Sequence, residues 1–223
     1  MRKVPENVTI ETETWKEARE TWSKLSFLSK LVLSLPFFFS SLLERYRYST
    51  PISESLGEAA YARHFSKHLQ EAIDVKEYQA VSAYWLNRPA SIASDLKRRN
   101  PHLRFISRAH RGDILPRENR KTIPFQPTIV KYADEIHAVS QDGVDTLKSI
   151  HPKASKKIVV GRLGTTNHDQ TPHRSVDGCL RIISMSRIVD VKRVDLIARA
   201  LSLVSRPLHS VSYTHLRAHE TKA

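Results

Sequence analysis

Ala80-Val81-Ser82-Ala83-Tyr84-Trp85, then a helical stretch from Ala90 to Arg99, then Arg104-Phe105-Ile106-Ser107, is the stretch on which the fold turns. Two short apolar runs flank an amphipathic helix, with Pro, Asn and Arg between them, which spells a β–α–β rhythm. Strands joined through a helix of that length run parallel, because an antiparallel pair needs only a hairpin. The rhythm continues downstream. Thr128 to Tyr132 reads as a short helix, Glu135 to Val139 as a strand, Gln141 to Ile150 as a helix and Lys157 to Val160 as a strand. Ser140 is placed to cap the Gln141 helix, and Asp142 and Lys148 complement the dipole at its two ends.

Upstream of this alternation the pattern is helical. Asn7 to Ile10 reads as a short strand, Trp15 to Leu35 and Pro36 to Tyr46 as helices, and Ser53 to Val75 as another. Leu25 to Leu43 is apolar enough to raise the question of a membrane span. Lys30 and Pro36 interrupt it, however, and five serines dilute it, whereas a spanning helix wants about 20 mostly apolar residues. The expectation is two short helices, buried or lying at a membrane surface, with Pro36 ending the first or starting the second.

Past the alternation, Thr165 to Gly178 has no apolar periodicity and is rich in turn formers, as an inter-domain linker is. Leu180-Arg181-Ile182-Ile183-Ser184-Met185 is a run of buried-strand type, and Val194 to Val204 repeats apolar residues at helical spacing, so a second α/β domain begins here. One strand and one helix cannot complete a parallel sheet, and this segment is expected to pack poorly. The last residues, Ser212-Tyr213-Thr214-His215-Leu216-Arg217-Ala218-His219-Glu220-Thr221, look like a translated sequencing adapter, which makes the metal-like spacing of His215 and His219 accidental. The expected division is 1–164, 165–178 as linker, 179–210 as the start of a second domain and 211–223 as an artefactual tail.

The chain has 223 residues, 40% of them apolar, enough to bury a core. A net charge of +13 favours polyanionic partners: nucleotides, nucleic acid or an anionic membrane face. Cys179 is the one cysteine, which rules out an internal disulfide and fits a reducing compartment such as the cytosol. Met1-Arg2-Lys3-Val4-Pro5-Glu6 opens without the apolar run of a secretory leader, so an intracellular, cytoplasmic location is expected. Gly-rich dinucleotide, P-loop and cysteine–histidine zinc motifs are all missing from the sequence.

Phe105-Ile106-Ser107-Arg108-Ala109-His110-Arg111-Gly112-Asp113 resembles the first-domain active-site stretch of bacterial family 4 glycosyltransferases that build surface polysaccharides. Tyr84-Trp85-Leu86, Ala133-Asp134-Glu135-Ile136-His137-Ala138-Val139-Ser140 and Arg162-Leu163-Gly164-Thr165 match in the expected order, and Ser186 to Asp195 looks like the donor-phosphate loop. The resemblance spans roughly Glu77 to Leu203 and implies an α/β, GT-B architecture. On that reading 1–164 is a nearly complete, acceptor-side Rossmann-like domain with a helical insertion, and the first β–α unit of a second Rossmann-like domain follows. It also implies retaining transfer of a sugar from a nucleotide-sugar donor to a polysaccharide or lipid-linked acceptor. His110 would face the donor sugar as the catalytic residue. Arg108 and Asp113 would shape the surrounding loop, and both count with Gly164, Arg187 and Lys192 among the donor-binding residues. The family's paired glutamates and its ribose- and base-binding segment have no counterpart here, so this chain is expected to be inactive.

The chemistry asks for cations at such a site, since cleaving the sugar bond puts still more negative charge on a diphosphate. Arg187 can grip phosphate oxygens through its planar fork and Lys192 adds a point charge. The N–H groups of the next helix would strengthen anion binding without a metal, so neither metal nor cofactor is expected and the nucleotide sugar is a substrate. Two departures stand out: His110-Arg111-Gly112-Asp113 has arginine and glycine where relatives place an aromatic residue before the aspartate, and the first strand with its glycine-bearing acceptor loop is missing.

Blander readings exist for each residue. A lone histidine is more often structural, and an aspartate like Asp113 more often caps a turn. Trp85 ends an apolar strand and is expected to fill core between sheet and helix rather than to hold a sugar. Ser107 lacks the strand–turn elbow of a nucleophile. A nucleic-acid-binding protein is the competing class, on the strength of Lys97-Arg98-Arg99 and Arg117-Glu118-Asn119-Arg120-Lys121, but no aromatics interleave with these runs and no reading module is present, so nucleic acid is not expected as a partner. A sugar-nucleotide epimerase of the same fold is the third reading. The anionic inner face of the membrane is a further expected contact, through the N-terminal helices.

Overall fold

A computed structural model describes residues 10–48, 51–115, 123–164, 176–186 and 188–213. The chain forms two compact units, Met1–Gly164 and Thr165–Ala223. Both are α/β with parallel sheets, an architecture compatible with a Rossmann-like fold.

The first unit opens with helices α1 (Ile10–Lys24), α2 (Phe27–Ser34), α3 (Phe38–Tyr48) and α4 (Ile52–Ala72). Strand and helix then alternate: β1 (Ala80–Ala83), α5 (Arg88–Arg99), β2 (Arg104–Ala109), α6 (Arg111–Ile114), α7 (Gln126–Tyr132), β3 (Glu135–Ala138), α8 (Gln141–Ile150) and β4 (Ile158–Val160). The sheet order is β1-β2-β3-β4, parallel throughout, with Ala83 beside Ser107, Ala109 beside Ala138 and Ala138 beside Val160. The order never reverses among these strands, so the carboxyl edge is the place to look for a site, but the switch-point crevice of a doubly wound sheet is not formed here.

Local chemistry sets these boundaries. Ser140 is extended and its Oγ accepts from the Gly143 N–H at 3.1 Å, capping α8, a contact of about 1 kcal/mol. Pro89 sits in the first turn of α5, and Lys97, Arg98 and Arg99 in its last turn face the negative end of the helix dipole. Phe105, Ile136 and Ile158 from three adjacent strands meet Ile129 and Leu147 in the core. A second core joins Ala18 and Phe65 to Ile92, Leu96 and Leu103, with the Trp15 and Phe65 rings 5.2 Å apart. Phe37, at the turn into α3, packs edge-on against Phe125 at 5.1 Å.

Several expectations are corrected. The helix expected from Trp15 to Leu35 is broken at Leu25 and Ser26, because Ser26 turns extended and its Oγ accepts from the Ser29 N–H to start α2 anew. Pro36 lies in a short 3-10 turn, Leu35–Phe37, that leads into α3. The α4 helix stops at Ala72, and Asp74 caps a separate turn, Val75–Glu77. Of the strand expected over 7–10, Ile10 opens α1 and the rest lies outside the described residues.

In the second unit β5 (Leu180–Met185), α9 (Val194–Ser202) and β6 (Leu208–Tyr213) form a β–α–β unit, with β5 and β6 parallel from Leu180 beside Leu208 to Met185 beside Tyr213. Leu208 to Tyr213 was not expected as a strand, and Val211, Ser212 and Tyr213, assigned to the tail, belong to it. The Ser184 and Ser212 hydroxyls lie 2.7 Å apart across the pair. A second strand therefore exists, yet the packing is as thin as expected: no described residue of α9 is buried, and Ile183, Met185 and Leu203 are exposed. Most of the linker segment (165–175), the run Arg117 to Lys121, and His215 and His219 lie outside the described residues.

Candidate functional site

The carboxyl edge of the first sheet gathers the polar and aromatic residues of interest. Tyr84 and Trp85 follow β1, His110 follows β2, and Gly161 follows β4. His110 is extended and is the N-cap of α6. Three residues on, Asp113 is 2% exposed. Its Oδ2 accepts from the backbone N–H of His110 at 3.1 Å, and its Oδ1 accepts from Asn87 Nδ2 at 2.8 Å. The ring atom Nδ1 of His110 lies 3.4 Å from Asp113 Oδ2, near enough for an ion pair when the ring is protonated, but off the hydrogen-bond direction.

The His110 ring clusters with two others: its centroid is 4.2 Å from Trp85 and 5.2 Å from Tyr84, and those two lie 5.4 Å from each other. Trp85 is 44% exposed and Tyr84 52%. Trp85 thus does not fill core between sheet and helix. It stands at the edge with its side in solvent, because the strand ends at Ala83 and the next residues turn outward before Leu86 re-enters the core. The signal in the sequence was the position itself, two aromatics directly after a parallel strand.

A second tier supports the first. Gln126 Nε2 donates to the Asp113 carbonyl at 2.8 Å, and the buried His151 ring lies 3.0 Å from Gln126 Oε1. Burial pushes the His151 pKa down to about 4, so the ring is neutral. Asn87, Gln126 and His151 were not singled out from sequence, and no local pattern marks them.

Arg108 turns one end of its guanidinium to the backbone after β4. Its Nη2 donates to the carbonyls of Gly161 at 2.8 Å and Arg162 at 3.3 Å, so it ties the exit of β4 to β2 and shapes the edge. Gly161 is in close contact there, since a Cβ on it would stand 2.7 Å from His137 Cβ. Gly164 is exposed, and a side chain there would meet open space, so nothing in the described residues requires glycine at that position. Ser107 is fully buried and its Oγ donates to the Ala83 carbonyl at 3.3 Å, away from any nucleophilic role.

In the basic run that ends α5, Lys97 and Arg98 are structural. Lys97 Nζ is 2.9 Å from Asp134 and donates to the Leu103 carbonyl, while Arg98 donates to the fully buried Asp95 at 2.9 Å. Among the described residues no three His, Cys, Asp or Glu side chains gather as metal ligands would.

In the second unit Lys192 is exposed at the end of a 3-10 turn, Asp190–Lys192, that follows β5. Arg193 is left-handed at φ 49° and leads directly into α9. Lys192 therefore sits between a strand end and a helix start. Arg187 lies outside the described residues. His110, Asp113 and Arg108 are brought together in one unit, and Lys192 belongs to the other.

The class the fold defines is an α/β protein with parallel sheets, compatible with a Rossmann-like fold, in which a histidine and an aspartate stand together at a strand's carboxyl end. No protein-family model matches the chain, and no curated protein matches it.

Proposed function

We propose that this chain carries the acceptor-side part of a retaining glycosyltransferase of the GT-B kind, in which a sugar passes from a nucleotide sugar to a polysaccharide or lipid-linked acceptor. The observation that carries this reading is the His110 ring clustered with two exposed aromatic rings, beside a buried carboxylate. A pyranose has hydroxyls around its rim and C–H groups on its faces. Aromatic rings suit the faces, and the imidazole Nε2 suits a hydroxyl, Nδ1 being buried beside Asp113.

Asp113 orients rather than reacts, since its oxygens are turned to Asn87 and to the His110 backbone. The ring it holds presents a hydrogen-bonding edge to a sugar hydroxyl. On this reading Lys192 and Arg187 would receive the departing diphosphate, whose charge rises as the sugar bond breaks. The enzyme would work on the cytoplasmic side, peripheral to the inner membrane face. No single described helix is long and apolar enough to cross a membrane.

The test is a titration of the chain with UDP- and GDP-sugars and with simple oligosaccharides, following the His110 imidazole by NMR and tryptophan emission by fluorescence. Saturable changes in both signals, lost in His110→Ala, are expected, with Lys192→Gln weakening only the nucleotide-bearing ligands. Silence toward every sugar, together with steeply salt-dependent binding of random oligonucleotides, would replace this reading with a nucleic-acid one.

A further inference from the structure

Helices α2 and α3 are packed inside out for an element that faces water. Toward the protein they turn Ser34, Phe37 and Ser41, all of them buried. Outward they present Phe27 at 79% exposure, Leu28 at 70%, Val32 at 63% and Phe39 at 83%. Leu35 and Leu43 are exposed as well. In water the hydrophobic effect drives the opposite choice, large apolar side chains inward and serines outward. The buried serines gain little in return: Ser34 Oγ donates only to its own helix at Leu31, and Ser41 Oγ has no partner among the described residues.

Small residues at the helix contact and large apolar ones outside is the arrangement of helices whose solvent is lipid. The apolar segment Phe27–Leu43 is bent by 116° from the helix before it, which suits an element lying in the plane of a bilayer surface.

Charge selects the kind of bilayer. Lys24 and Arg45 stand exposed at either end of the apolar face, and Lys30 lies over the Trp22 ring at 4.6 Å. Alongside α3 an open groove of about 630 Å³ is lined by Phe39 and Leu43 together with Lys131 and Lys153. Lys157 also lines it, but its amine caps α7 through the carbonyls of Lys131 and Ala133. Lys131 and Lys153 are exposed.

We infer that the α2–α3 hairpin inserts its apolar face into the acyl boundary of an anionic phospholipid bilayer, with Lys131 and Lys153 placed to meet lipid phosphates. This deepens the membrane placement proposed above and stands apart from the sugar chemistry at His110, so either can fail alone. Insertion of Phe27, Leu28, Val32 and Phe39 supplies the apolar term, and the lysines supply the preference for negative lipid.

The test uses the whole 223-residue chain with phosphatidylcholine vesicles, alone or mixed with phosphatidylglycerol. The chain should sediment with the mixed vesicles and much less with the neutral ones. Leu28→Asp with Phe39→Asp should weaken binding by at least about tenfold, since a charge in the apolar layer is costly. Lys131→Gln with Lys153→Gln should abolish the preference for phosphatidylglycerol while leaving circular dichroism unchanged. An environment-sensitive fluorophore on Leu28→Cys, in a Cys179→Ser background, should shift to the blue on mixing with vesicles and so reports insertion without disturbing the fold. Absence of that shift overturns the inference, as does unchanged binding by the aspartate variant. A dimer dispersed by Leu28→Asp and Phe39→Asp in place of vesicle binding would overturn it too, by making the face a contact between copies.

Discussion

Asn87 and Asp113, 26 residues apart in sequence, are joined by a 2.8 Å hydrogen bond from Nδ2 to Oδ1 at the carboxyl edge of the first sheet. That bond ties the start of α5 to α6, and through Asp113 it fixes the backbone of His110. Asp113→Ala would strip partners from Asn87 and from the His110 N–H in a buried setting, at a cost of about 2–3 kcal/mol. Urea unfolding should show a lower midpoint with an unchanged slope, and a midpoint equal to the parent's would mean that the bond contributes nothing to stability.

Trp85→Ala separates the two roles open to that ring. The side chain is 44% exposed and packs on His110, so its removal should leave the fold intact. Loss of one stacking partner is worth about 1 kcal/mol, roughly a fivefold drop in sugar affinity. Should the variant lose thermal stability and keep its affinity, Trp85 is a packing residue and the platform reading is wrong.

His151 makes stability depend on pH. Its ring is 6% exposed, and burial holds its pKa near 4, below the ordinary 6.5. The unfolded chain therefore binds the proton first as pH falls. The stabilisation is complete above about pH 6.5 and is lost progressively down to about pH 4, by no more than about 3 kcal/mol. His64 is lowered by burial as well and acts in the same direction. Denaturant midpoints measured at intervals between about pH 7.5 and pH 5 should fall, and more steeply than in His151→Gln. Equal slopes in the two proteins would remove His151 as the cause.

Gly161→Ala tests the contact between the ends of β3 and β4. The added Cβ would lie 2.7 Å from His137 Cβ, and neither atom is the flexible end of a side chain. The strands must part to admit it, at about 1–3 kcal/mol. Gly164→Ala, where open space surrounds the position, should be nearly neutral. If calorimetry gives the two variants the same melting temperature, the tight approach at Gly161 is not a constraint on the fold.

Sequence by itself determined the strand and helix succession from Ala80 to Val160 apart from α6, the α8 boundaries, the Ser140 cap and the Leu180 strand, because these rest on periodicity and capping within a few residues of chain. It also located His110 and Asp113 on one loop after a strand. Tertiary structure alone decided that Asn87 reaches Asp113, that Gln126 links it to His151, and that Arg108 turns to the carbonyls after β4. Those partners lie tens of residues apart and meet only through the register of parallel strands. The outward turn of Trp85 and the inside-out packing of α2 and α3 were hidden for a related reason: an aromatic at a strand end, or a helix mixing leucine with serine, carries no local mark of which side will be covered. Only the neighbouring elements, and the solvent beyond them, settle that.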